Sequence, residues 1–242
     1  MSRGRVGGSL AARVDALDWH ALRAQLDARG YAVSAPLLRA PECAALAQLF
    51  DGGRFRSTVE MARHRFGEGT YRYFARPLPD VVETLRVSLY GHLAPIANAW
   101  SALLGGGDDA FPLDHAALLA RCRAAGQQRP TPLLLRYGPG DWNALHQDLY
   151  GDVFFPLQVL CVLSEPGVDF AGGEIVLLEQ RPRAQSRAHV VTPPRGALVI
   201  FPTAHRPQRG VRGIHRVRLR HGVSAITRGS RTTLGIIFHD AR

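Results

Sequence analysis

A chain of 242 residues, 46% hydrophobic and 21% charged, has the length and composition of a folded globular protein with an ample core, which excludes an intrinsically disordered polymer. Three cysteines (Cys43, Cys122, Cys161) without C-x-x-C spacing exclude a disulfide framework and fit a reducing cytoplasm, and no apolar run reaches the ~18–20 residues that a membrane helix needs. The net charge of +10 is carried by arginine alone, with no lysine, and is concentrated in residues 181–231, which hold twelve arginines and no acid. Such a stretch reads either as a surface that attracts anions or, preferentially, as solvated outer strand faces with a basic loop.

Residues 1–14 lack the apolar core of a signal peptide and are expected to form a short flexible lead. Leu17–Asp27 has apolar residues at helical spacing and stops before Gly30. Tyr31–Leu38 reads as a strand, and Pro41 opens a helix that runs through Phe50. Residues 55–76 are mixed, with a loop at Gly67–Gly69 and a short strand at Thr70–Phe74. A long helix is predicted over Val81–Leu104, a break at Gly105–Asp109, and a further helix over Leu113–Ala125.

From Thr131 the texture changes to short strands between Gly/Pro turns. Strands are predicted at Leu133–Tyr137, around His146, at Phe154–Leu163, at Phe170–Leu178 with glycines inside it, at Gly196–Pro202, at His221–Ile226 and at Arg231–Phe238. Closing such strands into two facing sheets removes long edges and leaves a cavity between them. The expected fold is therefore α+β: a double-stranded β-helix (jelly roll) over 131–242, with a mainly helical support over 15–130 packed on one sheet.

The chemistry concentrates in Leu145-His146-Gln147-Asp148-Leu149. On an extended strand, His146 and Asp148 project from one face and Gln147 from the other. A distant histidine would complete a set of two imidazoles and one carboxylate, which suits a non-haem Fe(II) oxygenase. His221 is the preferred third ligand, because alternation in Val217–Val223 places Val217, Leu219 and His221 on one face and Arg218 and Arg220 on the other. His205 and His215 are the alternatives, in a Pro/Gly/Arg loop expected to face solvent. Asp152 is a second, weaker carboxylate, and His189 and His239 have no companion at ligand spacing. Arg231, ten residues after His221, could hold a dicarboxylate as a planar fork. Gln158 is polar inside an apolar strand and needs a buried partner or a cavity. Trp142, Tyr71 and Tyr73 could rim a substrate site, and Glu174 reads as a structural acceptor.

The order His146-x-Asp148, Gly172-Gly173-Glu174, His221 and Arg231 resembles the prolyl-4-hydroxylase-like branch of the iron- and 2-oxoglutarate-dependent dioxygenases, over roughly Pro132–Phe238. It departs from that pattern in an arginine-rich insertion at residues 203–216, which contains His205 and His215. The resemblance implies Fe(II) on His146, Asp148 and His221, and 2-oxoglutarate clamped by Arg231 and hydrogen-bonded by Tyr137, with Gln158 as a further lining residue. It also implies O2 as cosubstrate, with release of succinate and CO2 as a substrate C–H bond is hydroxylated. A small molecule or a protein side chain is the expected substrate. Nucleic-acid oxidative demethylation is the second choice, since the aromatic residues are not concentrated among the arginines. A cupin-like metal-binding module or a zinc hydrolase is the third, and neither of those needs Arg231.

Overall fold

A computed structural model describes residues 8–106, 110–181, 183–211 and 213–242. The helices are α1 (Leu10–Asp15), α2 (Trp19–Arg29), α3 (Ala40–Gly52), α4 (Asp80–Leu103) and α5 (His115–Ala124). The strands of the first half are β1 (Ala32–Pro36), β2 (Phe55–Glu60), β3 (Gly67–Glu68) and β4 (Thr70–Phe74). Those of the second half begin with β5 (Leu133–Tyr137), β6 (Trp142–His146), β7 (Leu157–Val162), β8 (Phe170–Gly172), β9 (Ile175–Gln180) and β10 (Arg187–Val191). They continue with β11 (Ala197–Pro202), β12 (His205–Gly210), β13 (Gly213–Val223), β14 (Ile226–Gly229) and β15 (Arg231–Ile236).

Local chemistry sets the helix ends. The Asp18 carboxylate accepts from the Ala21 amide at the start of α2, and Gly30 closes that helix in the left-handed region. Pro41 and Glu42 occupy the first turn of α3, where a missing N–H and a negative charge are both tolerated. In α4 the buried positions Val82, Leu85, Leu89, Leu93, Ile96 and Trp100 recur every three or four residues, which turns one stripe to the core.

Two antiparallel sheets face each other. The larger has seven strands in the order β1-β11-β7-β15-β5-β4-β2; the smaller runs β10-β9-β13-β6-β3, with β12 paired to β13. Alternation along the large sheet separates two apolar layers. Leu134, Leu157, Val159, Cys161, Leu198, Ile200, Leu234 and Ile236 pack under the helices. Tyr137, Val162, Val199 and Phe201 face the small sheet, where they meet Ile175, Leu177, Leu219 and Val223. The same parity sends Gln158, Arg231 and Thr233 into the space between the sheets, with the jelly-roll strands around them.

Four expectations are corrected. The flexible lead gives way to helix α1 from Leu10, held by the Ser9 cap and by the buried Val14; residues 1–7 lie outside the described residues. The support carries two strands besides the expected β1 and β4: β2 extends the large sheet, and β3, where a loop is expected, extends the small one. The single strand Phe170–Leu178 is two, since Gly172 and Gly173 both take positive φ and turn the chain from β8, which pairs with β14, into β9 of the small sheet. The insertion at 203–216 is no loop but the β12–β13 ribbon, and its Arg206 is buried on Glu179 at 2.8 Å. Of the expected break at 105–109, residues 107–109 lie outside the described residues, as does Arg212.

A buried ion pair ties the segment that follows β15 to α4. Arg86 donates to the carbonyls of Ile237 and Phe238 and to Asp240 Oδ1 at 2.8 Å, with both charged side chains shielded from water. Arg76 reaches the other Asp240 oxygen from a largely exposed position. Removing one member of a buried pair strands the other charge, whereas exposed pairs contribute little. In urea unfolding, Arg86→Met is expected to lose about 3–5 kcal/mol and Arg76→Ala about 1 kcal/mol or less, with similar m-values.

Candidate functional site

His146 ends β6, Asp148 follows two residues later, and His221 lies on β13 directly opposite His146. One potential ligand atom from each of the three falls within 4.8 Å of the others. Asp148 Oδ2 is 3.2 Å from His221 Nε2, and Asp148 Oδ1 is 3.5 Å from His146 Nε2. His146 Nδ1 donates to the Ala144 carbonyl at 2.7 Å, which leaves Nε2 as the nitrogen that faces Asp148 and can hold a metal once it gives up its proton. His205 and His215 sit on the β12–β13 ribbon, and among the described residues neither joins a group of potential metal ligands. Asp152 is paired with Arg242 at the surface, His189 lies near Glu179, and His239 accepts from the Phe155 amide.

Within the trio the three groups shift one another's titration. Burial opposes ionisation of Asp148, but His221 and then His146 hold its carboxyl well below the ordinary range. Burial pulls His146 down, yet its contact with Asp148 outweighs this and holds the imidazole above its usual value. His221 is lowered by burial and by the neighbouring His146. A carboxylate and two imidazoles on one wall of a cavity of about 220 Å³ are a donor set that fits Fe(II) and leaves coordination positions toward the cavity.

Arg231 lies deeper in the same cavity. It is opposite Tyr137 in the β15–β5 register, and its guanidinium stands 5.6 Å from that ring centroid. Nη1 donates to Thr233 Oγ1 at 3.1 Å, whereas Nε and Nη2 are buried without a partner. Burial lowers its pKa to about 10, so the group is still a cation at neutral pH. Gln158 Nε2 is a third buried nitrogen without a partner, and the Tyr137 hydroxyl accepts from Asn143 Nδ2 at 3.2 Å, which leaves its own proton to donate. Gly173 faces Arg231: a Cβ there would stand 2.9 Å from Arg231 Cδ and 2.2 Å from Ile226 Cδ1. Buried donors without acceptors call for an anionic, acceptor-rich ligand.

The profile of a family described as "Oxygenase, catalysing oxidative methylation of damaged DNA" matches residues 69–241. The chain belongs to this oxygenase family. Two uncharacterized proteins of Mycobacterium tuberculosis, one from each of two strains, are 51% identical to it over 168 residues, which covers 69% of this chain and 72% of theirs. Among solved structures, a prolyl-4-hydroxylase of Pseudomonas putida superposes with a TM-score of 0.54 at 19% identity, covering 97% of this chain and 100% of that one. A 2OG-Fe(II) family oxidoreductase of Burkholderia pseudomallei gives 0.54 at 15% identity, covering 97% and 94%. A Trichoplax adhaerens prolyl hydroxylase, solved with a peptide of hypoxia inducible factor, gives 0.54 at 16%, covering 96% and 92%. The oxygenase thus has the jelly-roll fold of the iron- and 2-oxoglutarate-dependent enzymes, as its resemblance to the prolyl-hydroxylase-like branch leads one to expect.

Sequence reasoning places Tyr71 and Tyr73 near the substrate, and both line the cavity; Trp142 is exposed and does not. It misses Phe66 at the mouth, Asn143, and above all Tyr150. The Tyr150 hydroxyl donates to Asp148 Oδ1 at 2.6 Å and accepts from Tyr73 at 3.2 Å. Burial, and then Asp148, hold this tyrosine well above its ordinary pKa, so it stays a donor. The available signal is its i+2 spacing from Asp148. Gln147 lines the edge of the cavity but is directed away from the trio, its amide donating to the carbonyls of Ala204 and Leu219, both at 2.9 Å.

Groups that orient a metal ligand typically tune affinity by about 10–100-fold. Tyr150→Phe is expected to weaken Fe(II) binding by at least about tenfold in anaerobic titration, with the thermal midpoint nearly unchanged. A metal must displace protons from its ligands, so binding should weaken as pH falls through the raised titration of His146.

Proposed function

We propose that this oxygenase uses Fe(II) held by His146, Asp148 and His221 and 2-oxoglutarate anchored by Arg231 to hydroxylate a C–H bond on a damaged nucleobase. The observation that carries the reading is the buried Arg231 guanidinium, unpaired at two nitrogens, in one cavity with the His–Asp–His trio. When bound, iron and 2-oxoglutarate supply oxygen activation coupled to decarboxylation, with succinate and CO2 as products. Arg231 would take the far carboxylate of the cosubstrate through parallel charge-assisted bonds, Tyr137 would donate a further one, and Gln158 would close the polar end. Leu133, Leu135 and Leu160 line the cavity and would exclude water from it.

The substrate class rests on the family and on the lining of the cavity. Phe66, Tyr71 and Tyr73 give the cavity an aromatic wall, from the half-exposed Phe66 to the buried Tyr73, whose ring stands edge-on to Tyr71. Such a wall suits a planar base that has left its stack or belongs to a single strand. This reverses the preference for a small molecule or a protein side chain that sequence reasoning alone supports, since the aromatics lie not among the arginines in sequence but along the cavity.

The test has two parts. The purified protein with Fe(II) and air should form succinate from 2-oxoglutarate, and a methylated single-stranded oligonucleotide should accelerate it. His221→Ala should abolish iron binding, whereas His205→Ala and His215→Ala should retain it; the reverse pattern would overturn the ligand assignment. In anaerobic titrations Arg231→Ala should weaken 2-oxoglutarate binding by about tenfold or more, because a charge-assisted bond of ~1.5–3 kcal/mol is removed. Iron affinity should hold, and Arg231→Lys should recover only part, since it lacks the planar fork.

A further inference from the structure

The arginine-rich stretch does not form one patch. Arg206 is buried on Glu179, and Arg231 is in the cavity. What remains on the surface is ordered by the β12–β13 ribbon, whose register sets His205 opposite Arg218 and Pro207 opposite Arg216. Residues directly opposite in an antiparallel pair share a face. On that face they meet Gln180 at the end of β9 and the turn beyond it, so that Arg181, Arg183, Arg216, Arg218 and His205 line one open concavity.

This concavity is basic and under-compensated. Among the described residues, no acid lines it. The nearby carboxylate of Glu179 is buried and shared: Arg181 Nε takes one oxygen at 2.6 Å and Arg206 the other at 2.8 Å. Arg216 has no acidic partner within ion-pair distance among the described residues. Like charges gathered without acids disfavour the fold slightly, so their convergence on one concave surface calls for an anion.

The position of Arg218 adds the second observation. Its Nε and Nη2 donate to Gln147 Oε1 at 3.2 and 3.1 Å. Gln147 is fixed by the two carbonyls of Ala204 and Leu219, lies between His146 and Asp148 in sequence, and itself lines the iron cavity. The basic concavity and the cavity therefore meet across one side chain. A ligand with a reactive group in one and an anionic group in the other would span Gln147.

We propose that the concavity lined by Arg181, Arg183, Arg216 and Arg218 is a phosphate site that holds the backbone of single-stranded DNA while a base of the same strand occupies the iron cavity. The inference rests on the nucleobase reading above and adds to it a location and a mode of grip. The phosphodiester supplies the negative charge that Arg216 and Arg218 lack. Guanidinium groups suit it because their forked donors match phosphate oxygens. The contact is independent of base identity, so it positions the strand and leaves selection to the cavity.

The experiment is fluorescence anisotropy of a labelled single-stranded oligodeoxynucleotide with the wild-type protein, Arg216→Ala, Arg218→Ala, the double variant, and Arg23→Ala as an equal charge change on α2. Thermal unfolding of each variant checks the fold. Arg216→Ala and the double variant should bind about tenfold and still more weakly than wild type. The slope of log K against log salt should flatten by roughly 0.7 for each phosphate that is no longer neutralised. Arg23→Ala should bind as wild type does. A nucleoside monophosphate or inorganic phosphate, added as competitor, should displace the strand only at far higher concentration. Equal binding by the folded double variant, an equal weakening in Arg23→Ala, or equal competition by free phosphate would overturn the proposal. Succinate formation by the wild type without DNA reads the iron and 2-oxoglutarate assignment separately, so turnover with arginine-independent DNA binding sinks this inference alone. Arginine-dependent DNA binding without turnover sinks the oxygenase assignment of the cavity and leaves the phosphate site standing.

Discussion

The structure of the site turns on one buried carboxylate. Asp148 has almost no access to water, and an isolated carboxylate in such a place would neutralise itself by taking a proton. It does the opposite, because two imidazoles and the Tyr150 hydroxyl surround its oxygens. Those partners in turn are fixed by the scaffold: His146 by the Ala144 carbonyl, His221 by its place in β13, and Tyr150 by Tyr73. Asp148 in return holds the His146 imidazole above its usual value, so a divalent cation would have to displace a proton there, and a cluster that is costly as a core would become favourable as a ligand set.

The fold delivers these groups by parity and register. On β13, alternation puts Leu219 and His221 inward and Arg218 outward, so one strand serves the metal on one face and the basic concavity on the other. On β15, Arg231 and Thr233 point inward while Leu234 and Ile236 pack under the helices. A slip of one residue in either strand would exchange the two sets. Several glycines allow the close approach. At Gly222 a Cβ would stand 2.6 Å from the Asn143 carbonyl, so a side chain there would push apart the strands that carry His146 and His221.

Much of this is legible in the sequence. The long helix appears in the spacing of Val82, Leu85, Leu89 and Leu93, and the inward face of β13 in the alternation of Val217, Leu219 and His221. These are local periodicities, which the backbone imposes wherever one face is buried. Non-local facts are not legible. Nothing near Phe55–Glu60 says that this segment pairs with Thr70–Phe74 at the edge of the large sheet. Nothing near Arg206 announces a buried Glu179, and the ribbon reads as a loop because its Pro, Gly and Arg residues are poor strand formers in isolation. Tyr150 escapes notice for a similar reason: its value lies in the Asp148 oxygen and the Tyr73 hydroxyl, contacts that exist only once the sheets have closed.

Arg86, Arg206 and Arg231 are all shut off from water, and the contrast between them says what the cavity is for. Arg86 is neutralised by Asp240 and Arg206 by Glu179, each at 2.8 Å. Both are the ordinary solution to burying a guanidinium, since an unpaired buried charge is costly and its removal from water must be offset by a carboxylate. Arg231 is buried as deeply but has only the Thr233 hydroxyl and two aromatic rings, and two of its nitrogens have no acceptor. Its charge survives burial, with a pKa lowered only to about 10. The chain thus supplies an internal carboxylate for two of the three and withholds it from the one that opens onto the His–Asp–His trio. A carboxylate brought by a ligand would complete the third pair, and because that pair would form only on binding, its strength would appear as affinity instead of stability. A dicarboxylate, as in the proposed cosubstrate, would have one end for the arginine and the other for the trio, where a monoanion could serve only one of them.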